Sequence, residues 1–136
     1  MADEHPPVID SQASGPLVLC TLRELAATGC REFRLGGGDW PLRGFVVRAG
    51  SEVRAYVNRC PHQLFRMNAL PDDLLTADRR YILCEMHDAL FEKESGLCIA
   101  GPCLGRSLWT LPIRIDAERV LLAPDADVPA LIARFT

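Results

Sequence analysis

The chain has 136 residues, 49% of them hydrophobic and 24% charged, a composition that suits one globular domain with a modest core. The formal net charge is −3, so the charge balance gives no support for binding to nucleic acid. No stretch is long and apolar enough to span a membrane, and the acidic N-terminal residues do not form a signal peptide. We therefore expect a cytoplasmic protein, in which six cysteines indicate metal ligation and buried thiols rather than disulfides.

The first part of the chain predicts a tail followed by short strands around one helical segment. Residues 1–15 are polar and contain prolines, and we expect a flexible tail there. Pro16–Cys20 is a short apolar run that predicts a strand, and Leu22–Thr28 predicts one or two helical turns that end at Gly29. Glu32–Leu35 alternates polar and apolar residues, as a half-buried strand does.

A hairpin is predicted next, and it leads to the residues with the most specific chemistry. Gly44–Ala49 and Val53–Asn58 flank Gly50-Ser51, which is a strong turn signal between two strands. The second strand runs directly into Cys60. A rigid sheet can therefore fix the backbone at that cysteine.

The second half again predicts strands, with a helix at the end. Pro71-Asp72-Asp73 predicts a turn, in which adjacent carboxylates are usually solvated. Short strands are predicted on either side of a second cysteine, and a hairpin and a helix follow. These elements are Tyr81–Leu83, Ala89–Glu92, Leu108–Asp116, Arg119–Ala123 and Val128–Phe135. Pro112 indicates that its strand lies at an edge or is bulged.

Two short motifs point to a metal centre. Cys60-Pro61-His62 reads C-x-H, Cys84-Glu85-Met86-His87 reads C-x-x-H, and residues 63–83 separate them. Two thiolates and two imidazoles can hold a tetrahedral zinc ion or a [2Fe–2S] cluster. Zinc modules usually group like ligands, whereas each pair here mixes one cysteine with one histidine. Each loop could then give its thiolate to one iron and its imidazole to the other.

The paired motifs resemble those of the Rieske family, and the resemblance spans roughly Gly44 to Ala123. Gly101-Pro102 stands where Rieske proteins have a loop that covers the cluster. The resemblance implies an all-β Rieske-like fold, with a small antiparallel β-sandwich or barrel body and a cluster-binding β subdomain. The single domain would be residues 16–136, and the cluster-binding part would be about 58–104.

The resemblance also implies the cofactor and its ligands. A Rieske-type [2Fe–2S] cluster would have Cys60 and Cys84 on one iron and His62 and His87 on the other. Such centres have potentials of about −150 to +300 mV, against about −400 mV for all-thiolate clusters of plant type.

Four positions predict a potential at the low end of that range. Ala89 and Phe91 match positions that carry Ser and Tyr in high-potential members of the family, and neither has a hydroxyl. Phe65 and Met86 match the positions of a disulfide in those proteins, and here they could make a sulfur–aromatic contact, shield the cluster or form a docking patch. The chain also departs from the family at Leu64 and Asp88, where glycine is common.

The remaining cysteines have several interpretations. Cys98 and Cys103 could be further metal ligands, a redox pair or buried thiols, and a role of Cys103 in tuning the cluster is one option. Cys20 and Cys30 stand among apolar neighbours and are expected in the core.

An electron carrier is the function that the resemblance implies. A Rieske oxygenase also needs two histidines and a carboxylate for a catalytic iron. The chain has three histidines, two of them in the motifs and His5 in the expected tail, so we predict no catalytic residue and no enzymatic activity. A ferredoxin would take electrons from a flavin NAD(P)H reductase and pass them to an oxygenase or a similar enzyme. The alternatives are a redox or iron sensor, a subunit of a reductase complex and a structural zinc module.

Overall fold

The computed structural model describes residues 6–12, 15–36, 41–61, 65–86 and 88–136. These residues form ten strands and two helices. In chain order the elements are β1 (Val8–Ile9), β2 (Val18–Thr21), α1 (Leu22–Thr28), β3 (Cys30–Leu35), β4 (Leu42–Ala49), β5 (Glu52–Val57), β6 (Tyr81–Cys84), β7 (Ala89–Glu92), β8 (Cys98–Ala100), β9 (Ile113–Asp116), β10 (Arg119–Leu122) and α2 (Val128–Phe135).

The described strands form three small sheets, which confirms the all-β prediction. Their orders are β1-β3-β4-β5, β2-β10-β9 and β6-β7-β8. The first two sheets make up the body, and the third carries the second motif. The pair β1 and β3 is parallel, and every other pair is antiparallel.

Strand β4 is buried on both faces. Val46 belongs to a buried cluster between the two body sheets, whereas Phe45 and Val47 belong to a second cluster that includes Cys60 and Cys84. Since successive side chains of a strand point to opposite faces, a strand covered on both sides must be apolar at almost every position. We call β1-β3-β4-β5 the central sheet and the buried cluster between the two body sheets the body core. The candidate site therefore lies on the face of the central sheet that is opposite the body core.

The predicted helices form where the sequence places them. Thr21 caps α1, and its side chain and that of Glu24 exchange hydrogen bonds with each other's backbone amides at 3.1 and 2.9 Å. Gly29 ends α1 with a φ of 78°, a left-handed conformation that glycine adopts without strain. Helix α2 has the predicted bounds.

The strand prediction for Leu108–Asp116 is wrong in its first half, because the regular strand β9 begins after Pro112. The preceding residues pair with β5 instead. The amide of Val57 donates to the Trp109 carbonyl at 2.8 Å, and the amide of Leu111 donates to that of Ala55 at 2.8 Å. Since Pro112 has no N–H for a ladder, the chain leaves one sheet there and enters the other.

Part of the expected tail pairs with the body. Val8–Ile9 forms β1, and the Arg34 guanidinium and amide donate to the carbonyls of Pro6 and Pro7. Residues 1–5, including His5, and residues 13–14 lie outside the described parts of the chain. Neither described helix is long and apolar enough to cross a membrane.

Candidate metal centre

Both motif cysteines lie in one buried cluster of side chains. Cys60 follows β5 and Cys84 is the last residue of β6, and each has 0% of its surface exposed. Two strands from different sheets therefore deliver the two thiols to the same region. His62 and His87 lie outside the described residues.

Hydrogen bonds join the two ligand loops, residues 58–69 and 84–89. The amide of Cys60 donates to the Phe65 carbonyl at 2.8 Å, within the first loop. The amide of Glu85 donates to the Met67 carbonyl at 3.1 Å, and the Glu85 carboxylate accepts from the amide of Ala69. Residues next to one cysteine thus fix the loop that carries the other.

The second ligand loop is a tight turn between β6 and β7. Cys84 pairs with Ala89 across the antiparallel ladder. Asp88 takes the left-handed conformation, with a φ of 57°. Aspartate tolerates this conformation better than most residues, which explains how the turn forms without the usual glycine. The other departure from the family, Leu64, lies outside the described residues.

A third loop, residues 98–106, packs against both ligand loops. Gly101 has a φ of 100°, and a Cβ atom there would lie 2.8 Å from the Cα of Ala89. The Arg106 guanidinium donates to the Pro61 carbonyl at 3.2 Å. The Gly101-Pro102 segment therefore lies beside the second motif, as the resemblance predicts for a covering loop.

Cys98 and Cys103 are neighbouring buried thiols in this third loop. The Cys103 thiol donates to the Cys98 sulfur at 3.1 Å, and the Cys98 thiol donates to the Ala100 carbonyl at 3.2 Å. Burial and then the Cys98 contact raise the pKa of Cys103 to about 12, so it is protonated at neutral pH. Burial also raises the pKa of Cys20 to about 12 and that of Cys30 well above its usual value, as expected for core thiols.

The positions that bear on the potential differ in exposure. Ala89 and Phe91 are fully buried in the cluster that holds both motif cysteines. Phe65 and Met86 are 69% and 63% exposed, so most of each side chain is free to contact a partner.

A buried polar network that the sequence analysis missed connects the body to the first ligand loop. The Glu32 carboxylate in β3 accepts hydrogen bonds from Asn58 at 3.1 Å, from the amide of Asp72 at 2.9 Å and from Asn68. The Asn58 carbonyl oxygen accepts from the amide of Met67 at 2.9 Å. The asparagine that follows β5 was the available signal, because Glu32 stands beside Arg31 in an alternating strand and looks like an ordinary solvated acid.

Asp72 belongs to this network, so the expectation of a merely solvated turn is wrong for it. Its carboxylate accepts from the amide of Glu32 at 2.7 Å and pairs with Arg31 at 3.3 Å. Since two groups on β3 hold it, the turn after the first ligand loop is attached to the body.

The described donors fit half of a mixed cysteine–histidine site. Within the described residues no group of three or more His, Cys, Asp or Glu side chains could hold a metal, and all three histidines lie outside those residues. Cys60 and Cys84 are buried among apolar residues. A thiolate in such surroundings is stable only when a metal or another cation balances its charge. This environment suits the two-thiolate side of a [2Fe–2S] cluster.

Comparisons with known proteins agree with this geometry. The family model of the Rieske [2Fe-2S] domain matches residues 15–121. The chain resembles the ferredoxin of carbazole 1,9a-dioxygenase from Nocardioides aromaticivorans IC177, with 26% identity, a TM-score of 0.61 and coverage of 82% of this chain and 100% of that one. No curated protein matches the chain.

The terminal oxygenase of carbazole 1,9a-dioxygenase from Novosphingobium sp. KA1 shares the fold, with 21% identity and a TM-score of 0.62 over 83% of this chain and 30% of that one. A chain in the complex of reduced oxygenase and oxidized ferredoxin in carbazole 1,9a-dioxygenase also shares it. The identity there is 19% and the TM-score 0.60, over 79% of this chain and 92% of that one.

Proposed function

This chain belongs to the Rieske [2Fe-2S] domain family, and we propose that it is a soluble ferredoxin that passes single electrons to an oxygenase or a similar terminal enzyme. Its cofactor is a Rieske-type [2Fe–2S] cluster, which accepts and returns one electron when bound. The observation that carries the proposal is the likeness to a dioxygenase ferredoxin whose whole length the match covers.

We assign the ligands as Cys60 and Cys84 on one iron and His62 and His87 on the other. The two thiols lie in one buried cluster, and each histidine follows its cysteine by two or three residues. This short separation would let each loop supply a thiolate to one iron and an imidazole to the other. The domain would comprise residues 16–136, with the ligand-bearing part at about 58–104.

The rest of the system follows from the carrier role. A carrier needs a donor, for which we propose a flavin NAD(P)H reductase, and we propose that both proteins act in the cytoplasm. The chain's own residues would hold the cluster, exclude water through Ala89 and Phe91, and present exposed side chains to the partner.

Anaerobic metal analysis with EPR spectroscopy of the dithionite-reduced protein tests the proposal. We expect about two irons per chain and a low average g value, as mixed His/Cys ligation gives. One zinc and no paramagnetic signal, in protein produced with ample iron, would contradict the [2Fe–2S] cluster and the carrier function, because the same four residues would then hold a structural zinc ion. A Rieske spectrum would leave the terminal enzyme to be identified by reconstituted electron transfer.

A further inference from the structure

A cavity of about 690 Å³ opens beside the two ligand loops. Its lining includes Phe65 from the first loop and Met86 from the second. Three arginines from the body and the first loop, Arg43, Arg59 and Arg66, also line it. We call this cavity the arginine groove.

None of the three arginines forms an ion pair with a described residue. The ion pairs in the described parts of the chain use other arginines, namely Arg31, Arg54 and Arg119. Arg59 lies over the Phe135 ring at 5.8 Å, and burial and then the nearby Arg66 lower the pKa of Arg43. Three positive charges are therefore held together in a chain whose net charge is −3.

The nearby carboxylates offset part of the positive charge of the groove. The Glu32 carboxylate acts electrostatically on Arg43 and lines a neighbouring pocket together with Arg43 and Arg66, so its charge offsets one of the three guanidinium charges. Thr136, whose α-carboxylate ends the chain, also lines the groove, whereas Glu85 and Asp88 of the second ligand loop do not. Three guanidinium charges against the carboxylates of Glu32 and Thr136 leave the groove net positive, beside the two ligand loops.

We propose that the arginine groove receives carboxylates from an acidic docking face of the redox partner. The exposed Phe65 and Met86 supply the apolar centre that protein interfaces need, and the arginines supply the charged rim on one side. Complementary charges orient an encounter and raise its rate more than they raise affinity. This inference rests on the proposed function, because the groove acts through its position beside the cluster.

Stopped-flow oxidation of the reduced protein by two small oxidants tests the local field. Each oxidant takes one electron. Ferricyanide is an anion, whereas hexaamminecobalt(III) is a cation. We compare Arg66→Glu with Arg23→Glu, because both variants change the net charge equally. Arg23 is exposed on α1. The end of α1 lies beside Arg48, because the Arg48 amide donates to the Gly29 carbonyl. Arg48 in turn lies about 16 Å along β4 from Arg43.

At low salt, Arg66→Glu is expected to slow ferricyanide at least about tenfold and to accelerate the cobalt complex, with both effects vanishing in high salt. Arg23→Glu should change each rate less than about twofold. Equal effects of the two variants would overturn the proposal, because net charge alone would then explain them.

A second measurement tests docking itself. Poly-L-glutamate, an acidic probe, should inhibit oxidation by ferricyanide in the wild type and lose this effect in Arg66→Glu, whereas inhibition equal in both variants would overturn the proposal. Iron content and the EPR spectrum are measured first. A protein without two irons would show that the proposed function has failed, independently of the groove.

Discussion

Asn58 Nδ2 donates a hydrogen bond to Glu32 Oε2 at 3.1 Å, and both residues are buried. Glu32 belongs to β3, and Asn58 precedes Cys60 by two residues. The same asparagine accepts from the amide of Met67 at 2.9 Å. One amide side chain therefore joins the central sheet to both ends of the first ligand loop.

Replacing Asn58 by alanine should lower the free energy of unfolding by about 2 kcal/mol, because the buried Glu32 carboxylate and the Met67 amide each lose a partner. The cluster should also be lost faster under air. Chemical denaturation and the decay of visible absorbance measure the two effects. Gln12→Ala removes an exposed amide side chain and should stay within about 0.5 kcal/mol of the wild type. Equal losses in both variants would contradict the anchoring role.

Changing either predicted imidazole ligand should move the potential strongly. In His62→Cys or His87→Cys, a cluster that still assembles carries more negative charge and is harder to reduce. Its potential should fall toward the value of about −400 mV typical of all-thiolate plant-type clusters. Redox titration followed by EPR measures the change. His5→Ala should keep the wild-type potential, and a cluster whose potential is insensitive to residues 62 and 87 would refute the ligand assignment.

Local patterns predicted most of the elements. The turn at Gly50-Ser51 indicated the hairpin of β4 and β5, and the apolar spacing of α2 indicated its helix. These features depend on neighbouring residues, which the sequence shows directly. Ligand spacing indicated the site for the same reason, because each cysteine and its histidine belong to one short loop.

Contacts between distant segments were harder to predict. The buried role of Glu32 depends on Asn58 and Asn68, which lie far along the chain from it. The pairing of Trp109 and Leu111 with β5 likewise depends on how two sheets meet, and the alternation of residues contains no signal for it. A short strand such as β1 has too few residues to show a pattern.

A hydroxyl near the cluster should raise the potential. Ala89 is buried in the cluster of side chains that contains both motif cysteines and pairs directly with Cys84. In Ala89→Ser, a hydrogen bond to a sulfur would favour the reduced state by about 1 kcal/mol, or about 40 mV for one electron. Phe91→Tyr should act in the same direction.

The matched control for this hydroxyl is Ala55→Ser. Ala55 is equally buried, but it lies in the body core on the other face of the sheet. The control should lose stability and keep its potential. No upward shift in either Ala89→Ser or Phe91→Tyr would contradict the role assigned to these positions.

Gly101→Ala should loosen the loop that lies beside the second motif. A methyl group there meets the Cα of Ala89 at 2.8 Å, in a backbone conformation with a φ of 100° that alanine rarely adopts. We expect a loss of about 2–3 kcal/mol of stability and faster release of iron to a chelator. Gly50→Ala is the control, because Gly50 has a φ of 65° but nothing within 4 Å of the added methyl group. Equal iron release from both variants would show that strain alone, and not the contact with Ala89, matters.

Tyr56 should make stability fall in alkaline solution. Its hydroxyl donates to the Lys93 carbonyl at 2.8 Å, and burial raises its pKa from 10.0 to about 12. Between these values the unfolded chain loses the phenol proton while the folded chain keeps it, so stability is complete below pH 10 and declines as the pH rises toward 12. The loss should be on the order of 2 kcal/mol. In Tyr56→Phe this part of the decline should disappear, although the buried thiols still titrate. The measurement is the denaturant midpoint of the wild type and of Tyr56→Phe, taken anaerobically at successive pH values. Parallel declines in the two proteins would contradict the role assigned to the Tyr56 hydroxyl.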